Sequence, residues 1–356
     1  MKKMTKLTAV SMAAVLAAAS LTACGSSTTP AASSAAETKA EAAGATEAAK
    51  EESAAPADGA ASDKQLKVGI CQLVQHSALD AATKGFIDVL KEEYGDNVFI
   101  DEQNAQGDSA TCTTIINGFV SNEYDLILAN ATPALQSAMN ATQDIPILGT
   151  SVTDYGTALA MDNFDASKGT GINISGTSDL APLDQQEDMI LELVPDVKNV
   201  SILYCSAEAN SQYQASQIEK YLEEDGIAYK EFTFSDSNDL QSVVQSAVAD
   251  CDAMYIPTDN TAASNMTVIN NIVQPAGIPI ICGEENMMKS GALATLSISY
   301  EDLGRATGKQ AIEILSNGAD VSTMPIAYAE ATTKEYNKAY ADAIGITIPD
   351  SYTAVE

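Results

Sequence analysis

The sequence predicts an α/β protein made of two similar Rossmann-like lobes, each on a parallel sheet, joined by a multi-strand hinge. Three observations carry this. From Leu66 onward, short apolar runs bounded by polar, Gly or Pro residues alternate with longer segments of helical period, the pattern of βαβ units. The order of segments repeats: VGICQLVQHSALDA from Val68 returns as VSILYCSAEANSQYQ from Val200. DLILANATPALQ from Asp125 returns as DAMYIPTDNTAAS from Asp252, and IPILGTSVTDYGTAL from Ile145 as IPIICGEENMMKSGAL from Ile278. Finally, 356 residues suffice for two domains with substantial cores.

The elements follow in order. Residues 1–23 read as an export signal: Lys2, Lys3 and Lys6 precede an Ala/Leu/Val-rich stretch too short to span a bilayer. It ends in Leu21-Thr22-Ala23-Cys24-Gly25, which resembles a bacterial lipobox and implies lipidation of Cys24. Two acyl chains on that cysteine would anchor stably where one is marginal. Residues 25–64 contain no Val, Ile, Leu, Met or aromatic residue. Nothing there can be buried to offset ordering entropy, so 24–64 is expected to be a flexible tether with a reach of about 35 Å.

Strands are expected at 67–71, 98–102, 126–129, 145–148, 199–204, 229–233, 253–256 and 279–282. A helix over 79–92 puts Ala82, Phe86, Val89 and Leu90 on one face. Residues 294–300 and 326–331 read as extended, with a helix over 300–316 between them. Crossings near 176–180, 297–300 and 328–332 would form the hinge, dividing the chain into lobe I (65–177 plus 299–326) and lobe II (178–298 plus 327–356).

Composition removes several classes. A net charge of −31 excludes a nucleic-acid binder that neutralises phosphates. One His excludes a multi-histidine metal site, and G-x-S-x-G and H-E-x-x-H are absent. No cofactor and no catalytic residue is assigned, and a monomer is expected. Besides Cys24 there are Cys71, Cys112, Cys205, Cys251 and Cys282, an odd number without close spacing. That is neither a disulfide framework nor a metal site, and Cys71, Cys205 and Cys282 read as small hydrophobes in strands.

The blocks QNAQGD (103–108), ATPALQSA (131–138), SVTD (151–154), EANS (208–211), PTDNT (257–261) and GALAT…YEDLGRATG (291–308) stand in this order. With the lipobox, the tether and the duplicated lobes, they resemble the TrpX-like solute-binding lipoproteins of ABC importers, of the type I periplasmic-binding-protein fold. The resemblance implies a lipid-anchored protein on the extracytoplasmic face. It would carry an aromatic amino acid (tryptophan, tyrosine or phenylalanine) in the cleft and deliver it to an ABC permease and its ATPase. Asp154-Tyr155 stands where the family often has Asp-Pro, and Gln75 where many members have Glu.

Residue chemistry tests an amino-acid ligand separately. An ammonium and a carboxylate each need a partner once water is excluded. The sole arginine, Arg305, falls within a helix, so the carboxylate must be met by hydroxyls and N–H groups at helix starts, as Thr132, Ser151 and Thr153 offer. The ammonium needs an acid, and Asp154, Glu208, Asp259 and Glu284 all follow strand ends. Asp259 is the first choice, with Asn260 beside it, and the same residues would equally serve as helix caps. Asn210 can donate and accept at a zwitterion's polar end. His76, with Gln72 nearby, could wall an aromatic side chain, and Tyr155, Tyr204 and Tyr213 could stack on it. Two other readings remain open: a sugar or other small solute serving a permease or sensor, and an extracellular enzyme using Asp154 with Asp259 or Glu284 as acid and base.

Overall fold

The computed structural model describes residues 65–355. The export signal, Cys24 and the tether therefore lie outside the described residues. Strand β1 (Leu66–Gln72) leads into helix α1 (Ser77–Tyr94), then β2 (Val98–Asn104), α2 (Ser109–Ser121), β3 (Leu126–Asn130), α3 (Thr132–Ala141), β4 (Ile147–Val152), the one-turn α4 (Tyr155–Ala158) and β5 (Ile174–Ser178). The second run is α5 (Leu183–Leu193), β6 (Asn199–Cys205), α6 (Ala209–Glu224), β7 (Ala228–Phe234), α7 (Ser237–Ala247), β8 (Ala253–Ile256), α8 (Asn260–Ser264), α9 (Met266–Val273), β9 (Ile280–Cys282), α10 (Glu285–Gly291) and β10 (Ala294–Ser297). The chain closes with α11 (Tyr300–Leu315), β11 (Ala327–Tyr328), β12 (Thr333–Asn337), α12 (Lys338–Ile344) and β13 (Thr353–Val355).

Two sheets form, β11-β5-β4-β3-β1-β2 and β13-β12-β10-β9-β8-β6-β7, in which β10–β12 is the one antiparallel pair. Their shared part, β5-β4-β3-β1-β2 against β10-β9-β8-β6-β7, has one order twice, as the repeat predicts. Strands β3, β4, β8 and β9 are buried along their whole length, because helices cover both faces of a parallel sheet. The edge strands β2 and β7 carry most of the exposed positions.

The chain passes between lobes three times: between Ser178 and Leu183, between Ser297 and Tyr300, and between Tyr328 and Thr333. Ala327–Tyr328 still pairs with β5 in the first sheet. Helix α11 returns to the first lobe and packs along α1. A Cβ on Gly304 would stand 1.9 Å from the Ala82 carbonyl oxygen, and one on Gly85 2.2 Å from that of Glu301, so only glycine permits this approach. Arg305 spans the same contact to Glu92 at 2.9 Å, away from the cleft.

Strand β5 is absent from the expected strands because Ile174 is its sole large aliphatic residue; the rest is Ser-Gly-Thr-Ser. Strand β12, TKEYN, is likewise too polar to stand out. The five cysteines among the described residues form no disulfide, and four of them are buried.

Candidate ligand-binding site

The site forms where the two lobes face each other at the carboxyl ends of their strands, beside the points where strand order reverses (β1/β3 and β6/β8). A small cavity lies there. The first lobe contributes His76, Leu79, Ser151 and Thr153. The second contributes Asn210, Thr258, Asp259, Asn260, Ala263 and Glu284, and the crossings contribute Asp179 and Tyr300. Three carboxyl groups thus line it, and no lysine or arginine does.

Each acid is held differently. Asp259 precedes α8, where its Oδ1 accepts from Ala262 N at 2.7 Å and its Oδ2 from Cys205 N at 2.7 Å. Burial, reinforced by the Glu208 charge, pushes its pKa up to about 8. Glu284 precedes α10 and accepts from Met287 N at 2.6 Å and Asn286 N at 2.7 Å; burial raises it to about 7. Asp179 accepts from two hydroxyls, Thr153 Oγ1 at 3.0 Å and Tyr300 OH at 2.8 Å, with a backbone bond beside them, and burial raises it too. Both oxygens of Asp259 and Glu284 are already met by backbone N–H groups. Asp179, held mainly by rotatable hydroxyls, is the acid best able to turn toward a cation.

The remaining polar groups are incomplete. Ser151 Oγ, Asn210 Oδ1 and His76 Nδ1 are sealed from solvent and have no hydrogen-bond partner within the protein. Ser151 also sits at φ 54, a left-handed conformation that costs a non-glycine residue of order 1 kcal/mol or more. Buried polar atoms without partners, beside a strained backbone and in a cavity, mark places that a ligand completes.

Four candidates lie elsewhere. Gln72 braces β1 against α1, accepting from Thr83 Oγ1 at 2.7 Å and donating to Asp80 Oδ1 at 2.7 Å. Glu208 sits behind the wall, accepting from Asn260 N, Asn260 Nδ2, Thr261 N and Thr261 Oγ1. Asp154 caps α4 through Thr157 N at 2.7 Å, so the Asp154–Asp259 pair considered for acid–base chemistry is not assembled. Thr132 is buried with Oγ1 unpartnered, next to the cavity rather than in its wall. None of the three tyrosines proposed to stack lines the cavity. Tyr155 fills a slot between Gly149 and Gly176 and donates to Thr177 O at 3.2 Å. Tyr204 donates to Glu231 at 3.0 Å, and Tyr213 packs against the second core.

Leu79, Asp179, Thr258, Ala263 and Tyr300 were not among the expected site residues. Thr258 and Ala263 flank Asp259 within the PTDNT block. Asp179 and Tyr300 lie at two of the expected crossings, where a hinge meets a cleft.

The lobes are drawn together. His76 Nε2 lies 3.3 Å from Asn260 Oδ1, and Gln214 Nε2 donates to Thr153 Oγ1 at 3.4 Å, both bonds crossing the cleft.

A family model for ABC transporter substrate binding proteins matches residues 67–355. The chain is 39% identical over 274 residues to a tyrosine-binding protein of Clostridioides difficile (strain R20291), covering 76% of this chain and 78% of that one. Among solved structures, it resembles an ABC domain from Streptococcus pneumonia in complex with L-Trp, at 35% identity and TM-score 0.76, covering 81% of this chain and 97% of that one. It also resembles the ligand-free, open structure of a substrate binding protein with adhesive properties from Clostridium difficile, at 37% identity and TM-score 0.62, covering 82% and 99%. At nearly equal identity, the L-Trp complex superposes better than the open form, in keeping with the bonds across the cleft. A match spanning both lobes and the whole cavity wall settles the family: the chain belongs to the ABC transporter substrate binding proteins.

Proposed function

We propose that the protein captures an aromatic amino acid in the interlobe cavity and presents it, in the closed form, to an ABC permease outside the cytoplasm. The observation that carries this is a closed cavity with three buried acids, no cationic side chain, and unpartnered hydroxyl, amide and imidazole atoms. Such a site is complementary to a ligand bearing its own ammonium and carboxylate. The ammonium meets Asp179, and its charge draws the neighbouring Asp259 and Glu284 toward their ionised forms. Ser151 Oγ donates to the carboxylate. Leu79, Ala263, Tyr300 and His76 surround the side chain. The names of the two relatives, tyrosine-binding and L-Trp-bound, support an aromatic side chain.

No bond is made or broken in this role; lobe closure buries the ligand, and its release to the permease reopens the cleft. Lipidation of Cys24 and the 24–64 tether would keep the domain at the membrane. Calorimetry with tryptophan, tyrosine, phenylalanine, leucine and ribose tests the ligand class: tight binding of an aromatic amino acid is expected, and binding of ribose alone would overturn it. Cys24→Ser is expected to release the protein from the membrane fraction; a variant that remains detergent-extractable like the parent would refute the anchor.

A further inference from the structure

The chain's single histidine has one ring nitrogen engaged and one idle, and its neighbours determine which carries the proton. Glu208 accepts from Asn260 N at 3.0 Å, Asn260 Nδ2 at 2.6 Å, Thr261 N at 2.9 Å and Thr261 Oγ1 at 2.8 Å. With four donors around it, the carboxyl group acts as an acceptor at both oxygens. It therefore holds the NH₂ side of the Asn260 amide, because the reversed amide would set two acceptors 2.6 Å apart. Asn260 Oδ1 is left facing His76, so the imidazole must donate from Nε2 across the cleft. Nδ1 then carries a bare lone pair, shielded from solvent and without a partner.

The fold places the His76 side chain in one wall of the cavity. His76 and Leu79 stand three residues apart at the start of α1, and Asn260 and Ala263 three apart on α8, so each pair shares a helix face. Together they form a wall containing the cavity's two aliphatic side chains. Ser151, on β4, stands two strands away from β1 with β3 between, and Asp179 lies beyond it after β5. The zwitterion's charges belong at the β4–β5 end and its side chain at the His76 end.

We propose that Glu208 and Asn260 lock His76 as the Nε2–H tautomer, making His76 Nδ1 the acceptor that selects side chains bearing a hydrogen-bond donor: the phenol of tyrosine or the indole of tryptophan over phenylalanine. The inference rests on the aromatic-amino-acid reading above. Burial lowers the imidazole pKa against the opposing pull of the Asn260 bond, Glu208 and Asp80, which keeps the ring neutral at pH 7.

Because His76 is the only histidine, a long-range ¹H–¹⁵N spectrum of ¹⁵N-histidine-labelled protein reads it without ambiguity. The expected pattern is a neutral Nε2–H ring whose Nδ1 resonance moves to lower shift when tyrosine binds; an Nδ1–H or doubly protonated ring overturns the proposal. Calorimetry adds a second readout. The parent is expected to prefer tyrosine or tryptophan over phenylalanine by roughly tenfold, the value of one buried hydrogen bond. His76→Gln keeps a donor for Asn260 but no Nδ1, and is expected to bring that ratio close to one. His76→Asn, with an oxygen near the Nδ1 position, is expected to retain part of it. An unchanged ratio in His76→Gln overturns this inference alone, whereas a parent that binds none of the three amino acids overturns the aromatic reading and this inference together.

Discussion

Aligning the repeated segments without gaps pairs His76 with Glu208, Thr132 with Asp259, and Ser151 with Glu284. These are corresponding positions past or near the strand ends of the two lobes, with Thr132 and Glu208 outside the cavity wall, yet their chemistry differs. In the second lobe all three are acids, and each is satisfied by N–H groups of its own lobe. In the first lobe all three are neutral, and each leaves an atom without a partner: His76 Nδ1, Thr132 Oγ1 and Ser151 Oγ. Helices α1 and α3 also start without a side-chain cap. The repeat thus gives corresponding positions to a lobe whose acids are met internally and a lobe that leaves polar atoms without partners. The Ser151 hydroxyl favours an anion and the acids a cation, so the cavity orients a zwitterion before it is held.

The strongest way to break this comparison is to neutralise the acid between the lobes. Asp179→Asn keeps the shape and removes the charge, and affinity for the amino acid is expected to fall about 30-fold or more, since a buried ionic partner is worth about 2–5 kcal/mol. Calorimetry measures it; an affinity within threefold of the parent would shift the ammonium to another acid. Ser151→Gly acts from the other rim and in two directions. It relieves the positive φ, so the thermal midpoint of the ligand-free protein is expected to rise by about 2 °C. It also deletes a donor to a charged group, so affinity is expected to fall about tenfold. A lower midpoint would show that the strain is absent, and unchanged affinity that the hydroxyl points elsewhere.

The smallest effect is one of pH. Asp259 and Glu284 titrate near 8 and 7 in the fold, against 3.8 and 4.5 ordinarily. Between those values the folded state holds more protons than the unfolded one, so the stability of the ligand-free protein is expected to fall as pH rises from about 5 to 8. A bound ammonium favours the ionised acids, so affinity is expected to rise over the same range, with proton release seen by calorimetry in buffers of different ionisation enthalpy. Affinity that drops across this range would remove the ammonium from the acid rim.

Much of this was legible in the sequence. Apolar runs announce the buried strands, and the repeat predicts one strand order twice. Asp259 and Glu284 are expected because they stand just past strand ends, Ser151 as a hydroxyl near a helix start, Asn210 as a group that both donates and accepts, and His76 as a planar wall; all five line the cavity. Asp179 and Tyr300 could not be reached that way, because a hinge leaves no periodic signature and Tyr300 reads as the first residue of a helix. Tyr155 misleads for a related reason: its slot depends on Gly149 and Gly176, 27 residues apart, meeting in adjacent strands. Gln72 and Glu208 look like site residues from their places in the chain, but each has inward partners on other elements that no local pattern records.

The close seat of α11 on α1 has a consequence for the order of assembly. Lys84 bonds to Glu301 across 217 residues of chain, and the glycine contacts beside it admit no other helix in that place. The first lobe comes first in the chain, yet one of its covering helices arrives only after the second lobe has been made. A chain emerging from the amino terminus can finish the second sheet up to β10 while the first still exposes the groove of Ala82, Gly85 and Val89. The long loop closed by this contact makes it slow to form and late. Docking of α11 is therefore expected to complete the first lobe only after most of the second has been made, so a chain cut before Tyr300 would lose a covering helix from the first lobe as well as β12 and β13 from the second.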